Sequence, residues 1–341
     1  MDTSSNGPSR QPERHEPRRR RRWPFVVGGL VALGLVGLAI VAIVFILAAG
    51  SPSAPVVYEE EYVAGDGADK IVVMPVEGEI ASADESLGGT QPMVTPEGLS
   101  DALRQAAEDT SVAAVVLEIN SPGGGVTASD EMHQSILDFR KNTGKPVVVS
   151  MEDTAASGGY YISTAADRIV ANETTLTGSL GVIFQLNNFS EAADKYGIKQ
   201  VVIKSGKYKD IGNAFREMKP EEREIFQSIV DDSYSEFVDV ISEGRDIPKD
   251  RVREIADGRV YSGSQAKELG LVDAFGGLDE ASALAGKLAG TTDTIVVRYV
   301  QEPTLIETLM ARLAPQEPQA EQIMDAAGLN LEPKPYYLYR P

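Results

Sequence analysis

Apolar residues are concentrated in one long run and several short ones along this chain. The long run extends from Phe25 to Ala49 without a charged residue. It exceeds the roughly 20 apolar residues that a helix needs to cross the hydrocarbon core of a bilayer. A cleaved signal peptide would have an apolar region of only about 7 to 15 residues. The pattern therefore predicts one uncleaved transmembrane helix over residues 23–49.

Shorter apolar runs alternate with segments of helical spacing in the middle of the chain. VAAVVLEI (112–119) is almost continuously apolar, which is typical of a strand buried on both faces of a parallel sheet. A glycine-rich loop and a helical stretch follow, then the strand PVVVS (146–150), a Ser-Gly-Gly turn, a helix and the strand RIVA (168–171). This alternation predicts an α/β fold with a largely parallel sheet.

Two further segments have the features of amphipathic helices. TPEGLSDALRQAAED (95–109) starts with a threonine cap and has proline at the first helical position. Residues 219–244 form a longer helix, whose apolar stripe consists of Ile225, Ile229, Phe237 and Ile241. That stripe needs a partner, which lies either in the same domain or in a neighbouring subunit. QVVI (200–203) is expected to be a strand.

Composition sets the boundaries of the remaining segments. Residues 50–69 mix serine, proline, glycine and acidic residues without clear periodicity, as a tether does. The folded body is expected over residues 70–302. Residues 303–341 form a C-terminal extension that prolines interrupt and that ends in KPYYLYRP. We expect this aromatic end to dock on a surface.

Charge is distributed unevenly between the tail and the body. The chain of 341 residues has a formal net charge of −19, yet residues 1–22 carry seven arginines against three acidic residues. By the positive-inside rule this basic tail stays cytoplasmic, so everything after Gly50 is extracytoplasmic. The acidic body would repel phosphates, which argues against nucleic-acid binding. The predicted location is the cell membrane, crossed once.

A serine stands at a predicted junction of strand and helix in TAASGGYYIST (154–164). The hydroxyl of Ser157 would be displayed at the carboxyl edge of the sheet, where a helix N-terminus favours negative charge. Gly158 can offer an unobstructed backbone N–H to an oxyanion. A second donor is expected from the loop NSPGGG (120–125), and we choose Gly124. These residues predict an acyl-transfer site.

The base that would take the serine proton is harder to identify. Of the two histidines, His15 lies in the basic tail and His133 lies within a predicted helix, facing solvent or a packing surface. The chain has no cysteine, which excludes a thiol nucleophile or a cysteine-based zinc site. A lysine can act as base where burial disfavours its charged form. KSGKYKDIG (204–212) contains three lysines, and composition does not show which of them would be the base. The alternative to a catalytic role is a solvated basic loop in which Lys209 is paired to Asp210.

Four motifs in the body resemble those of one peptidase family. NSPGGG, SGGYYISTAADRIVANETTLTGSLGVI, IKSGKYKDIG and GRVYSGSQAKELGLVDAFGGLDEA stand in the order and spacing of the signal peptide peptidase A family of Ser/Lys serine peptidases, family S49. The resemblance covers roughly residues 70–288 and matches the short, single-repeat form of the family.

The resemblance implies a role for each candidate residue. The serine of the family's SGGYY motif is its nucleophile, which corresponds to Ser157. The lysine of its KDI element is the general base, which corresponds to Lys209, and the neighbouring Asp210 is then expected to point away. The TGS(I/L)GV serine, here Ser179, would help to hold the lysine. Two further residues would donate to the oxyanion, namely Gly124 and Gly158.

The resemblance also implies a fold, partners and substrates. The fold would be crotonase/Clp-like, built of ββα units, and the chemistry would need neither a metal nor a cofactor. Relatives of this length form bowl-shaped homo-oligomers, often octamers, and a chain with one copy of each motif must self-associate if a ring is required. The substrates would be hydrophobic peptides in the membrane, including remnant signal peptides.

Two functions of other classes compete with this interpretation. A crotonase-like enzyme acting on acyl-CoA thioesters would use the same glycine-loop oxyanion chemistry, although the Ser/Lys pair and the extracytoplasmic location argue against it. A non-catalytic membrane scaffold would carry a vestigial site, which the presence of Ser157 and Lys209 argues against.

Overall fold

The computed structural model describes residues 57–82 and 93–301, together with the backbone of residues 335–338. Within those ranges no helix is both long and apolar enough to cross a membrane. The predicted basic tail (1–22) and transmembrane helix (23–49) lie outside the described residues, as does most of the C-terminal extension.

The described residues form two sheets. The strands of the large sheet are β1 (Glu59–Gly65), β2 (Asp69–Glu77), β5 (Val112–Ser121), β7 (Val147–Ala156), β8 (Arg168–Ala171), β9 (Leu176–Gly178), β11 (Val260–Ser262), β12 (Ala274–Phe275) and β13 (Thr294–Val300). These nine strands lie in the order β1-β13-β2-β5-β7-β8-β12, with β9 beside β7 and β11 beside β9.

The strands of the smaller sheet are β3 (Glu79–Ile80), β4 (Met93–Val94), β6 (Gly123–Gly125), β10 (Ile183–Phe184) and β14 (Pro335–Leu338). They lie in the order β10-β14-β6-β3-β4.

Helices lie between the strands along the chain. They are α1 (Pro96–Glu108), α2 (Val126–Thr143), α3 (Gly158–Ser163), α4 (Ser190–Tyr196), α5 (Pro220–Arg245), α6 (Lys249–Ile255), α7 (Gly263–Glu268) and α8 (Leu278–Ala289). The predicted cap of α1 is present, because Thr95 Oγ1 accepts a hydrogen bond from the Gly98 amide.

The centre of the large sheet is parallel, as the sequence pattern predicts. β2, β5, β7 and β8 pair in parallel with one another. Along β5, Val115 and Leu117 belong to one hydrophobic core and Val116 to a second core, all with no exposed surface. The first core packs against α1, α2 and α3, and the second against α8. Burial on both faces explains why these strands are apolar at nearly every position, and the predicted α/β class is confirmed.

A ββα unit occurs twice in this order, the first time with an additional short strand before the helix. β2 leads to the short strands β3 and β4 and then to α1, and β5 leads to β6 and then to α2. In each unit the second strand leaves the large sheet and joins the smaller one, where β3 pairs with β6 in parallel. The glycine loop is therefore a strand of the smaller sheet and continues directly into α2.

The structure differs from the sequence-based expectations at two places. Residues 59–65, expected to belong to the tether, form β1 and pair antiparallel with β13. This edge strand begins with three glutamates, so its sequence does not look like a buried strand. The expected strand at 200–203 is wrong, because these residues pair with no strand of the described chain, and the side chains of Val201 and Ile203 are 85% and 96% exposed.

Helix α5 buries only part of its apolar stripe. Phe237 and Ile241, in its C-terminal half, lie in the first core, whereas Ile229 is 39% exposed. The C-terminal half of the stripe thus has its partner within the same chain, as one of the two predicted possibilities requires.

Candidate active site

Ser157 lies at the junction that the sequence predicts, after the last residue of β7 and before the first residue of α3. Its backbone has φ 52° and ψ −112°, which side-chain-bearing residues seldom adopt. The Ser157 amide donates to Gly178 O at 2.8 Å, and Ser157 O accepts from the Tyr161 amide at 2.8 Å. The neighbouring strand and the helix together hold the serine in this strained conformation.

The Ser157 hydroxyl is buried and unpaired. The residue is 1% exposed, and its Oγ has no hydrogen-bond partner among the described residues. A buried hydroxyl without a partner destabilises the fold by about 1–3 kcal/mol. Strain and a free hydroxyl on one residue are typical of a nucleophile rather than of a structural serine.

Gly124 and Gly158 lie against each other beside this hydroxyl. A Cβ placed on Gly158 would lie 3.0 Å from Gly124 N and 3.1 Å from Gly123 Cα. A Cβ placed on Gly124 would lie 1.9 Å from Ile80 O, on the paired strand β3. Both positions therefore require glycine. The two predicted oxyanion donors are brought together with the serine, which suits one oxygen bound by two amides.

Ser179 is also placed near the serine by strand pairing. The last residues of the parallel strands β7 and β9, Ala156 and Gly178, are paired with each other. Ser157 and Ser179 are the residues that directly follow these two strands. Ser179 has a φ of 51°, and its amide donates to Arg259 O at 2.8 Å. The predicted lysine-positioning serine thus lies at the same sheet edge as the predicted nucleophile.

Lys209 lies on an exposed loop and is the least engaged of the three candidate lysines. Lys204 forms an ion pair with Asp210, and Lys207 Nζ lies 3.5 Å from Glu221 Oε1. Lys209 has an exposed side chain and no ion pair within the described ranges. No hydrogen bond joins it to Ser157 Oγ, which has no partner there. The pairing of Lys209 with Ser157 stays a prediction.

Asp210 pairs with groups other than Lys209. Its carboxylate accepts hydrogen bonds from Arg216 and Lys204, which hold the pKa of Asp210 well below its usual range. Arg216 also donates to both carboxylate oxygens of the fully buried Glu222, at 2.7 Å each. This network ties the lysine loop to the first turn of α5. The described residues contain no Lys209–Asp210 ion pair, but Lys209 does lie on a solvated loop, as the alternative interpretation expects.

His133 is a packing residue rather than a base. It is 5% exposed, its ring packs edge-on against Tyr161 at 5.2 Å, and its Nδ1 has no hydrogen-bond partner in the described chain. Burial lowers the pKa of His133 to about 4, against the weaker opposing effect of Asp130. Since Tyr161 belongs to the core, His133 lies behind the nucleophile helix and not at the serine hydroxyl.

The chain's own C-terminal strand lies along the glycine loop. β14 is antiparallel to both β6 and β10, with Tyr337 opposite Gly124 and Tyr336 opposite Gly125 and Ile183. A strand of peptide backbone therefore occupies the position between the glycine loop and β10. The predicted docking of the C-terminal end on a surface is confirmed for these four residues.

Sequence reasoning missed one polar residue of the site, Ser129. It is fully buried on α2, and its Oγ would lie 2.6 Å from a Cβ on Gly158. The available signal was its spacing from Met132, His133 and Ile136, which puts it on the inner face of the helix.

Comparison with known proteins gives a consistent family. Residues 139–292 match the model of peptidase family S49. A protein of Enterococcus faecium that carries the name signal peptide peptidase SppA is 34% identical over 290 residues, covering 82% of this chain and 84% of the relative. Protease 4 of Haemophilus influenzae is 36% identical over 253 residues, covering 71% of this chain and 40% of the relative.

Among solved structures, a mutant of ClpP1 from Listeria monocytogenes superposes with a TM-score of 0.40 and 20% sequence identity. The match covers 62% of this chain and 94% of that chain. This similarity is too weak to assign a fold, an assembly or an activity.

Proposed function

The chain belongs to peptidase family S49 and is a serine peptidase, and from this premise we propose that it is a membrane-anchored Ser/Lys endopeptidase. Its substrates are hydrophobic peptides released in the membrane, such as remnant signal peptides, and it works as a homo-oligomer. Family membership favours this function over the acyl-CoA enzyme and the scaffold. One observation supports it most strongly: the buried, unpaired Ser157 hydroxyl lies beside the Gly124–Gly158 pair.

In the proposed reaction Ser157 Oγ attacks the carbonyl carbon of the scissile bond while uncharged Lys209 removes the hydroxyl proton. The negative charge that develops on the carbonyl oxygen is stabilised by the amides of Gly124 and Gly158. Lysine then gives the proton to the leaving amine, and an acyl-serine remains. Water activated by the same lysine hydrolyses the ester and regenerates the hydroxyl.

Lys209 acts as a base only where its ammonium form is disfavoured by loss of water. In the single chain it is exposed and follows an apolar segment whose Val201 and Ile203 are also exposed. We propose that assembly with other copies covers this segment, removes water from the lysine and completes the site. The exposed apolar positions support assembly.

The substrate peptide is proposed to bind as an added strand. The backbone of residues 335–338 supports this mode, because it pairs with the glycine loop on one side and β10 on the other. Main-chain hydrogen bonds of this kind are independent of side-chain identity. A substrate in this position must displace the C-terminal strand, so the chain's own terminus competes with it.

The test of this function is cleavage of a fluorogenic hydrophobic peptide by the full chain in detergent micelles. Ser157→Ala removes the nucleophile and Lys209→Ala removes the base, so each should lower kcat by about 10⁴-fold or more. Lys207→Ala is the matched control on the same loop and should leave the rate unchanged. Wild-type rates in both the Ser157 and the Lys209 variants would refute the dyad.

A further inference from the structure

Ser129 is a buried polar residue that the proposed mechanism does not use. It lies on α2, is 0% exposed, and has no hydrogen-bond partner for its Oγ in the described parts of the chain. A hydroxyl that is taken out of water without a partner destabilises the folded state. Such groups are uncommon in proteins and are often retained for a function.

Two other hydroxyls on the same helix are paired locally. Ser135 Oγ donates to Glu131 O at 2.8 Å, and Thr143 Oγ1 donates to Phe139 O at 2.7 Å. The equivalent acceptor for Ser129 is the carbonyl of Gly125, four residues earlier. The Ser129 hydroxyl makes no such bond.

The hydroxyl instead lies against the two candidate oxyanion donors. The point where a Cβ on Gly158 would stand is 2.6 Å from Ser129 Oγ and 3.0 Å from Gly124 N. Gly124 and Gly158 themselves have no side chain that would fill the space between them and the hydroxyl. The start of α3, the glycine loop and the first turn of α2 therefore meet at this hydroxyl, and the residue before Gly158 is Ser157, whose hydroxyl is also unpaired.

We infer that Ser129 is a positioning residue for the oxyanion donors. Its hydroxyl sets the separation of Gly158 from Gly124, and it forms its own hydrogen bond to the glycine loop when the amides of that loop turn to the oxyanion of the transition state. This inference rests on the proposed function, which supplies that oxyanion. An interaction that is absent with bound substrate and present in the transition state raises kcat without strengthening substrate binding.

The experiment compares three variants of the full chain in detergent micelles on the fluorogenic peptide. Ser129→Ala should lower kcat by about 10- to 100-fold and leave KM within about twofold. Its Tm should be unchanged or higher, because an unsatisfied hydroxyl is removed. Ser129→Cys keeps most of the volume but is a weak donor, so its kcat should be as low as that of Ser129→Ala.

Ser282→Ala is the matched control. Ser282 is also buried on a helix with an unpaired Oγ, but α8 packs on the opposite face of the large sheet. Its removal should affect Tm in the same direction and leave kcat at the wild-type value.

Two results would overturn the inference. A wild-type kcat in Ser129→Ala would show that the hydroxyl is not needed, and a wild-type kcat in Ser129→Cys alone would show that only volume matters. A wild-type chain that cleaves no peptide would refute the proposed function, and with it the inference, before any Ser129 variant is compared.

Discussion

At the scale of single residues, the chemistry depends on groups that the fold leaves unsatisfied. Ser157 is held in a strained backbone conformation with a buried, unpaired hydroxyl, and Ser129 adds a second unpaired hydroxyl against Gly158. Each of these features destabilises the folded state, and both lie beside the Gly124–Gly158 pair. Such clustering is expected at a site that stabilises a transition state at the expense of fold stability.

His133 gives a prediction about the pH dependence of stability. Burial lowers its pKa to about 4 in the folded chain, whereas an unfolded chain binds the proton near pH 6.5. The unfolded state therefore binds more protons between these values, and stability falls as the pH drops from about 6.5 to about 4. The expected loss at pH 4.5 is about 2–3 kcal/mol.

The measurement is urea unfolding of the wild type and of His133→Gln at pH 7 and pH 4.5. Asp130 and Arg140, the charged groups that act on the ring, are kept in both chains. The wild type should lose more stability than the variant between the two pH values. Equal losses would show that the folded chain admits a charged imidazole.

The sequence predicts single residues well where a motif is local. Ser157 and Gly158 follow from one strand–helix junction, and Gly124 follows from the glycine loop at the end of the preceding strand. Ser129 was missed, because an unpaired hydroxyl is a property of three-dimensional packing. The choice of Lys209 came from family resemblance, and the structure adds only that Lys204 and Lys207 are engaged elsewhere.

At the scale of secondary-structure elements, local signals and pairing partners differ in how far they predict the fold. The cap at Thr95 and the apolar run of β5 are readable from short windows, and both elements are present. β1 and residues 200–203 were wrongly interpreted, since a strand exists only where a neighbour accepts its hydrogen bonds. β1 is a strand because it pairs with β13, about 230 residues away in sequence. Residues 200–203 are not a strand, because they have no neighbouring strand in the described chain.

The C-terminal strand leads to a prediction at this scale. Because residues 335–338 occupy the edge of the glycine loop, a tethered strand competes with substrate at a high effective concentration. Deletion of residues 335–341 should lower KM for the fluorogenic peptide several-fold and leave kcat unchanged.

Addition of a free peptide, KPYYLYRP, should inhibit the truncated chain competitively, and a scrambled peptide of the same composition is the control. An unchanged KM after truncation, together with no inhibition by the free peptide, would mean that the strand does not lie in the substrate position.

At the scale of the whole molecule, the proposed function requires assembly. Val201 and Ile203 are almost fully exposed in the single chain, and the N-terminal half of α5 leaves Ile229 exposed as well. Substitution of a solvent-exposed residue changes the free energy of unfolding by only about 0.5 kcal/mol. A large effect at these positions would therefore report an interface.

Val201→Asp with Ile203→Asp should reduce the assembly to smaller species and lower peptide turnover by at least tenfold, while Tm of the separated chain changes little. Light scattering after size-exclusion chromatography in detergent measures the mass, and Val57→Asp, at another exposed valine, is the control. An unchanged mass and an unchanged rate would place the interface elsewhere.

The proposed dyad requires an uncharged lysine that reaches the serine hydroxyl, and the decisive measurement is the distance between Ser157 Oγ and Lys209 Nζ in an experimental structure of the assembled full chain. Each site should contain one such pair, from the same or a neighbouring copy, within about 3 Å. A structure in which every Lys209 Nζ lies well beyond hydrogen-bonding reach of every Ser157 Oγ, with other groups around the hydroxyl, would contradict it.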